Sequence, residues 1–273
     1  MKSAAQSLDE LELDQLLESI YCQFHDDFRL YSRASLRRRL GYALPGFGCA
    51  SLSALRARLL RDPHAFFALV QYLTIPVSDL FRDAPSFLAL RRNVVPVLRT
   101  YPSLRVWVAG CSTGEEAYSF AILLAEEGLL ERTFIYATDI NQESLAAARI
   151  GSYSAERLAL FTENHRLSGA STALTEHYVE SRGSLQFAQR LREKIFFSEH
   201  SLATDGVFGE MQLISCRNVL IYFQRELQNR ALGLFRDSLC RRGFLSLSSP
   251  ETLRFTAHER EFEELPDRWY RRC

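Results

Sequence analysis

The sequence predicts an α/β protein: an all-helical N-terminal domain, then a doubly wound, mostly parallel sheet domain that carries a small antiparallel β-subdomain as an insertion. Three observations predict it. Apolar residues recur at helical spacing up to about residue 73, short apolar runs alternate with amphipathic stretches from about 104, and a more polar, irregular stretch at 163–195 interrupts the alternation. With 273 residues and 47% apolar composition the chain can bury a sizeable core, which excludes disorder as a whole-chain description. The expected boundaries are 1–85 for the helical domain with its linker and 86–273 for the sheet domain, with 163–195 as the insertion.

In the helical domain, Ser7 followed by Glu10 is a capping-box pattern, and Leu8, Leu11, Leu16, Ile20 and Phe24 then predict an amphipathic helix. Further helices are expected at about 32–43 and 51–61, and Asp62 as cap with Pro63 at the first helical position opens a fourth through about 73. Charge is segregated here: seven acids and no base lie between 9 and 27, and eight arginines and no acid between 29 and 61. A basic face holding Arg33, Arg37, Arg38 and Arg39 could steer an acidic protein partner. The competing reading is a solvated face that pairs with the acidic first helix.

In the sheet domain, LRVWVAG and TFIYATDI read as strands, followed by the helices TGEEAYSFAILLAEE and QESLAAARIG, which is the pattern of βαβ units. MQLISC (211–216) and GFLSLSS (243–249) read as later strands, with QRELQNRALGLFRDSLCRR as a helix between them. Within the insertion, Tyr178-Val179, Arg182-Gly183-Ser184 and Leu185 to Ala188 resemble a hairpin.

Bulk properties narrow the partners. The 33 basic and 33 acidic residues cancel, so nothing global argues for nucleic acid or an anionic membrane. No run approaches the roughly 18 uninterrupted apolar residues of a membrane helix, so no direct membrane insertion is expected. The six cysteines (22, 49, 111, 216, 240, 273) contain no CxxC pair and no histidines at ligand spacing, so no metal is expected and a reducing, cytoplasmic setting is.

Ligands of doubly wound sheets bind outside the carboxyl ends of the strands, so the residues after each strand are the candidates. After the first comes Ala109-Gly110-Cys111-Ser112-Thr113-Gly114-Glu115-Glu116, whose glycines allow a sharp turn and close approach of a ligand. Two carboxylates beside a helix N-terminus argue against a pyrophosphate and for a cationic ligand; the bland alternative is a turn whose acids satisfy the helix dipole. Asp139, at the end of the next strand, stands where adenosine ribose hydroxyls are held, although an acid there also serves as a helix cap. Glu116 and Asp139 together suggest an adenosine bearing positive charge, and S-adenosylmethionine (SAM) is the candidate. After MQLIS, Arg217 and Asn218 bring a fixed charge and an amide to the same rim; the alternative is an Asn turn with Arg217 paired to a surface acid.

VWVAGCSTGEEAYSFAILL, ATDINQESLAAARIGSY and SCRNVLIYF, in this order and separation, closely resemble the CheR family of chemoreceptor glutamate methyltransferases, and LTIPVSDLFRDAPSFLAL resembles the segment joining that family's two domains. The resemblance covers about 70–255. It implies a Rossmann-like SAM-dependent methyltransferase domain that converts receptor glutamates to methyl esters and releases S-adenosylhomocysteine. It also implies cofactor contacts from Ser78, Arg82, Gly110, Glu116, Asp139, Ser201, Leu202, Arg217 and Asn218, with Arg82 and Tyr222 beside the transferred methyl. Two departures stand out. Pro76 and Ser78 replace an Asn and a Thr of the family pattern, and Ser201 replaces an Asn. Proline brings no side-chain contact, whereas Ser78 keeps a hydroxyl. These departures motivate a competing reading as a SAM-binding adaptor with little turnover; a methyltransferase with another acceptor is the third. On the main reading the basic face would meet the acidic methylation region of the receptor.

Overall fold

In the computed structural model, residues 10–273 are described, so Ser7 of the expected capping box and Leu8 of the expected seam lie outside the described residues. The chain divides into two units. The first comprises the residues up to Ile75 with Ser201–Asp205 and Tyr222–Ala231; the second comprises Pro76–His200, Gly206–Ile221 and Leu232–Cys273. The break thus falls at 75/76, where the expected one was at 85.

The first unit is built on α1 (Glu10–Phe24), α2 (Arg33–Gly46), α3 (Leu52–Arg61) and α4 (His64–Leu73). The buried seam of α1 is Leu13, Leu16, Leu17 and Ile20; Leu11, expected on that seam, is exposed. The i, i+3, i+4, i+7 spacing of the four buried residues makes one stripe, and Leu11 falls outside it. The stripe meets Leu52, Leu55 and Leu59 of α3, and Phe24 stacks on Phe66 of α4 with ring centroids 4.0 Å apart. The N-cap of α4 is Pro63 rather than Asp62, which stands one residue earlier and accepts from the His64 N–H at 3.1 Å.

The second unit holds a seven-stranded sheet in the order β6-β2-β1-β7-β8-β10-β9. Its strands are β1 (Leu104–Ala109), β2 (Thr133–Asp139), β6 (Ile195–Glu199), β7 (Met211–Ser215), β8 (Leu239–Ser246), β9 (Phe262–Leu265) and β10 (Trp269–Arg272). The first five in spatial order pair in parallel, and β10 and β9 close the edge antiparallel. Helices α5 (Ala84–Ala89), α6 (Val95–Leu98), α7 (Glu115–Glu126), α8 (Gln142–Ile150), α9 (Leu158–Leu167), α10 (Gln189–Arg192) and α11 (Arg225–Ser238) complete the secondary structure, α11 passing from the first unit into the second. A π turn, Leu90–Val94, joins α5 to α6. The β1 residues Val106, Trp107 and Val108 are buried on both faces, as a central parallel strand must be.

The insertion is a three-stranded antiparallel sheet, β3-β5-β4, of β3 (Ser152–Ser154), β4 (Tyr178–Ser181) and β5 (Ser184–Phe187). The hairpin turn is Arg182-Gly183 with φ of 51° and 76°, two successive left-handed residues as a two-residue turn requires. The subdomain begins before 163, because β3 contributes Tyr153, which packs against Phe187 and Phe161. Two expectations change. The helix expected through Arg242 ends at Ser238, since Leu239 and Cys240 are buried in β8 and Arg242 turns left-handed at φ 64°. Ile195–Glu199, unassigned in the sequence, is the edge strand beside β2.

Candidate active site

The carboxyl ends of β1, β2 and β7 carry the candidate residues of the second unit. The turn after β1 uses its glycines as expected. Gly110 has φ 73°, and a Cβ there would run into the Val219 side chain; Gly114 has φ 94°, and a Cβ would come within 2.8 Å of Ala148 Cβ. Gly110 N–H donates to the Thr138 carbonyl at 2.8 Å, tying this turn to the end of β2.

The two acids of the turn separate in role. Glu115 is fully buried and accepts from Thr113 Oγ1 and from Arg157 Nη1, both at 2.6 Å, so it is consumed inside the protein. Glu116 accepts from Ser215 Oγ at 2.6 Å, stands 4.0 Å from Arg217 and keeps 13% of its side chain exposed. Burial pushes the Glu116 carboxyl above its ordinary value, against the opposing pull of Arg217, Ser215 and, by charge alone, Arg82. Asp139 accepts from the Ser112 N–H at 2.8 Å and the Asn141 N–H at 2.9 Å. Burial raises its carboxyl too, outweighing these hydrogen bonds. The cap of α8 is Asn141, whose side chain accepts from Ser144 N–H, so Asp139 is not held there by a capping duty. Each Asp139 oxygen can accept further bonds at the rim.

Arg217, only 3% exposed, reaches the Arg82 carbonyl at 3.0 Å and Asp83 at 2.8 Å. It thereby fixes the loop in which Phe81 (φ 50°) and Asp83 (φ 57°) both adopt left-handed backbone around Arg82. Asn218 is also left-handed, at φ 61°. Its N–H, with those of Val219 and Leu220, is held by the buried Glu251 carboxylate at 3.0, 2.9 and 2.8 Å. The segment is therefore an Asn turn with Arg217 paired to an acid, Asp83, directly after β7. Ser78 is half-buried, and its carbonyl accepts from Arg157.

The structure thus places Gly110, Glu116, Asp139, Arg217 and Asn218 at the carboxyl ends of β1, β2 and β7, with Arg82 tied to them through Arg217. Ser201, Leu202 and Tyr222 belong to the first unit. Ser201 N–H donates to Asp205 at 2.9 Å and its hydroxyl accepts from Ala203 N–H at 3.3 Å, a turn that its short side chain can close. The Tyr222 ring lies under Arg39, whose guanidinium carbon is 4.3 Å from the ring centroid.

That contact corrects the basic face. Arg39 is buried and donates to the Leu73 carbonyl, so it cannot be part of a docking surface. Arg33 pairs with Asp14 at 2.6 Å and Arg37 with Glu10, which is the competing pairing with the first helix. Arg38 remains exposed.

Two contributors escaped the sequence. Glu251, in the turn after β8, could have been found as an acid following a strand. Arg157 binds Glu115 and Asp79 (2.7 Å) and stacks over Phe161, but a lone arginine at the start of α9 offers no signal.

Comparison with known families settles the class. The description "CheR methyltransferase, all-alpha domain" matches residues 11–74 and "CheR methyltransferase, SAM binding domain" matches residues 76–271. The chain belongs to the CheR methyltransferase family. A Pseudomonas putida relative bearing the name Cher3 is 54% identical over 265 residues, spanning 96% of this chain and 97% of its own. Chemotaxis protein methyltransferase 2 of Pseudomonas aeruginosa is 32% identical over 85% of this chain and 78% of its own. The chemotaxis protein methyltransferase of Salmonella typhimurium is 31% identical over 88% of this chain and 78% of its own. As a CheR methyltransferase, the protein uses SAM as methyl donor, and the strand ends described above lie within the family's SAM-binding domain. No described helix is long and apolar enough to cross a membrane.

The residues fit that donor. A cation is matched by Glu116, ribose hydroxyls by the oriented Asp139 carboxylate, and close approach by Gly110, where a side chain has no room. The bound donor supplies an electrophilic methyl on a positively charged sulfur.

Proposed function

We propose that this CheR methyltransferase forms glutamyl methyl esters on the cytoplasmic helices of a chemoreceptor. The observation that carries the reading is the pairing of two oriented, burial-raised carboxylates, Glu116 and Asp139, at the ends of adjacent elements of a CheR SAM-binding domain. The names of the relatives support a chemoreceptor as acceptor. The absence of a candidate membrane span among the described helices is compatible with action in the cytoplasm.

A glutamate carboxylate, with an unperturbed pKa near 4.3, is already an anionic nucleophile at neutral pH, so the reaction needs no general base. With the donor bound, one carboxylate oxygen would form a bond to the methyl carbon as the carbon–sulfur bond breaks, the electron pair remaining on sulfur. Opposite charges vanish together, so a dry, preorganised site favours the step. On this reading Asp139 holds ribose, and Glu116 faces the positive part of the donor. Ser78, Gly110 and Asn218 line the donor, a role the family resemblance also gives Ser201 and Leu202, and Arg217 acts by fixing Arg82. Arg82 orients the acceptor carboxylate, a role the family resemblance also gives Tyr222; one light contact serves better than a tight clamp, which would also stabilise the ground state.

The test is transfer of labelled methyl from SAM to receptor cytoplasmic fragments from the same organism, scored as alkali-labile label, with Arg82→Ala and Tyr222→Phe alongside. Alkali-labile incorporation that falls in both variants at saturating SAM is expected. SAM binding without incorporation on any receptor fragment would overturn the acceptor assignment.

A further inference from the structure

Away from the proposed active site, the second unit contains a buried cluster that the methyl-transfer chemistry does not use. Glu126 at the end of α7, His165 near the end of α9 and His177 just before β4 converge, with side chains 0–3% exposed. The ligand-type atoms, Glu126 Oε1 and the Nε2 atoms of both histidines, all lie within 4.8 Å of one another. His165 Nε2 is 2.9 Å and His177 Nε2 3.7 Å from that oxygen. Metal–ligand bonds of about 2.0–2.1 Å place tetrahedral ligand atoms about 3.3 Å apart. The two contacts to Glu126 thus lie within about 0.4 Å of that spacing, and rotation of the imidazoles would bring the remaining pair, within 4.8 Å, to it. From this geometry we propose that Glu126, His165 and His177 form a structural binding site for a zinc-class divalent cation.

The surroundings support the assignment. Arg91 engages the other carboxylate oxygen, Glu126 Oε2, which leaves Oε1 turned to the histidines as a single-oxygen ligand. Glu127 neutralises Arg91 at 2.8 Å, so the arginine adds little net charge against a cation. Thr172 Oγ1 sits 2.8 Å from Glu126 Oε1 and 3.0 Å from His177 Nε2, where it or a water supplies the fourth ligand. Two imidazoles and one carboxylate select zinc-class ions over magnesium or calcium, which require mainly oxygen ligands. Binding asks each neutral imidazole only to carry its proton on Nδ1. For His177 this means that Arg190, 3.4 Å from Nδ1 and 3.3 Å from the Glu176 carbonyl, keeps the carbonyl and yields the ring. The three ligands come from α7, α9 and the entry to β4, so the ion would staple the small antiparallel sheet to the main one. A cation held this way is independent of which acceptor the enzyme methylates.

Without an ion, the same atoms make a closed hydrogen-bond chain, with His177 donating to Thr172, and Thr172 and His165 to Glu126. The experiment separates the two. Full-length protein stripped with EDTA is titrated with Co²⁺ and then Zn²⁺, in a Cys22→Ser, Cys273→Ser background that removes exposed thiols. One equivalent of Co²⁺ with the intense visible bands of four-coordination, no thiolate charge-transfer band, and displacement by Zn²⁺ is expected, with a rise in Tm that EDTA reverses. His165→Gln and His177→Gln, which keep a hydrogen-bonding amide, should fold and lose the bands. Absence of stoichiometric cobalt and of a zinc-dependent Tm in the parent protein would overturn the proposal, as would bands that survive in both variants.

Discussion

The Glu251 carboxylate accepts the backbone N–H of Asn218 at 3.0 Å across 33 residues of sequence, and with it the N–H groups of Val219, Leu220 and Ser248 and the Ser248 hydroxyl. One buried acid thus holds the turn after β7 against the turn after β8. Left-handed backbone at Asn218 needs such support, because a non-glycine residue pays for that conformation.

Glu251→Gln keeps the shape but cannot accept five donors, so it should destabilise the protein by about 2–4 kcal/mol and weaken SAM binding. Urea unfolding and calorimetry of SAM binding check this. Unchanged SAM affinity in a folded Glu251→Gln would show that the turn holds itself.

Arg157 links the linker segment to the turn after β1 through Asp79, the Ser78 carbonyl and Glu115. Arg157→Met preserves packing on Phe161 but strands the buried Glu115. A loss of about 1–3 kcal/mol is expected, recovered in part by Arg157→Met with Glu115→Gln. If the double variant is no more stable than the single one, the clamp does not act through Glu115.

On the proposed roles of Glu116 and Asp139, their raised carboxyls should make SAM binding pH-dependent. The folded values lie above the unfolded ones, so these groups favour the folded apo state below the unfolded values. That contribution is lost as pH rises through the folded values. Donor binding runs oppositely, since the anions are what it uses. SAM affinity should therefore increase with pH beginning above the ordinary carboxylate range of about 4, and Glu116→Gln should flatten part of the profile. Calorimetry across that range measures it; a flat wild-type profile would contradict the assignment.

Arg38 and Arg39 are neighbours with different fates. Arg38→Glu, at an exposed position, should change stability by no more than about 0.5 kcal/mol and leave SAM affinity intact, so a slower receptor methylation rate would reveal steering. Arg39→Ala should cost about 1–3 kcal/mol, because it uncovers the Tyr222 ring and strips the Leu73 carbonyl of its donor. Thermal unfolding of the two variants distinguishes them.

Thiol reactivity provides a further check. Cys111 and Cys216 flank the proposed site but are buried, and burial pushes both thiols well above their ordinary value. Cys22 and Cys273 are exposed. Alkylation of native protein should modify the exposed pair first and leave Cys111 and Cys216 intact until unfolding. Early modification of Cys111 would mean that the turn after β1 opens readily.

The elements with strong local periodicity were legible in the sequence. The helices of the first unit, β1, β2, β7 and the Arg182-Gly183 hairpin each announce themselves through spacing of 3.6 or 2 residues or through turn chemistry. The placement of Gly110, Glu116 and Asp139 at the strand ends was legible as well, because it follows from where β1 and β2 stop in the sequence. The edge strand β6 did not, since IFFSE lies within a polar stretch and gains its identity only by pairing with β2.

What the chain alone determined is the class of chemistry, carried by short motifs that keep their residues adjacent. Tertiary structure decided which charges are available. It buries Glu115 against Arg157 and leaves Glu116 at the rim; it removes Arg39 from a basic face by laying it on Tyr222; and it gathers Glu126, His165 and His177 from three separate elements. Charge pairing acts over a few ångströms of space, and folding brings residues that far apart in sequence to that distance.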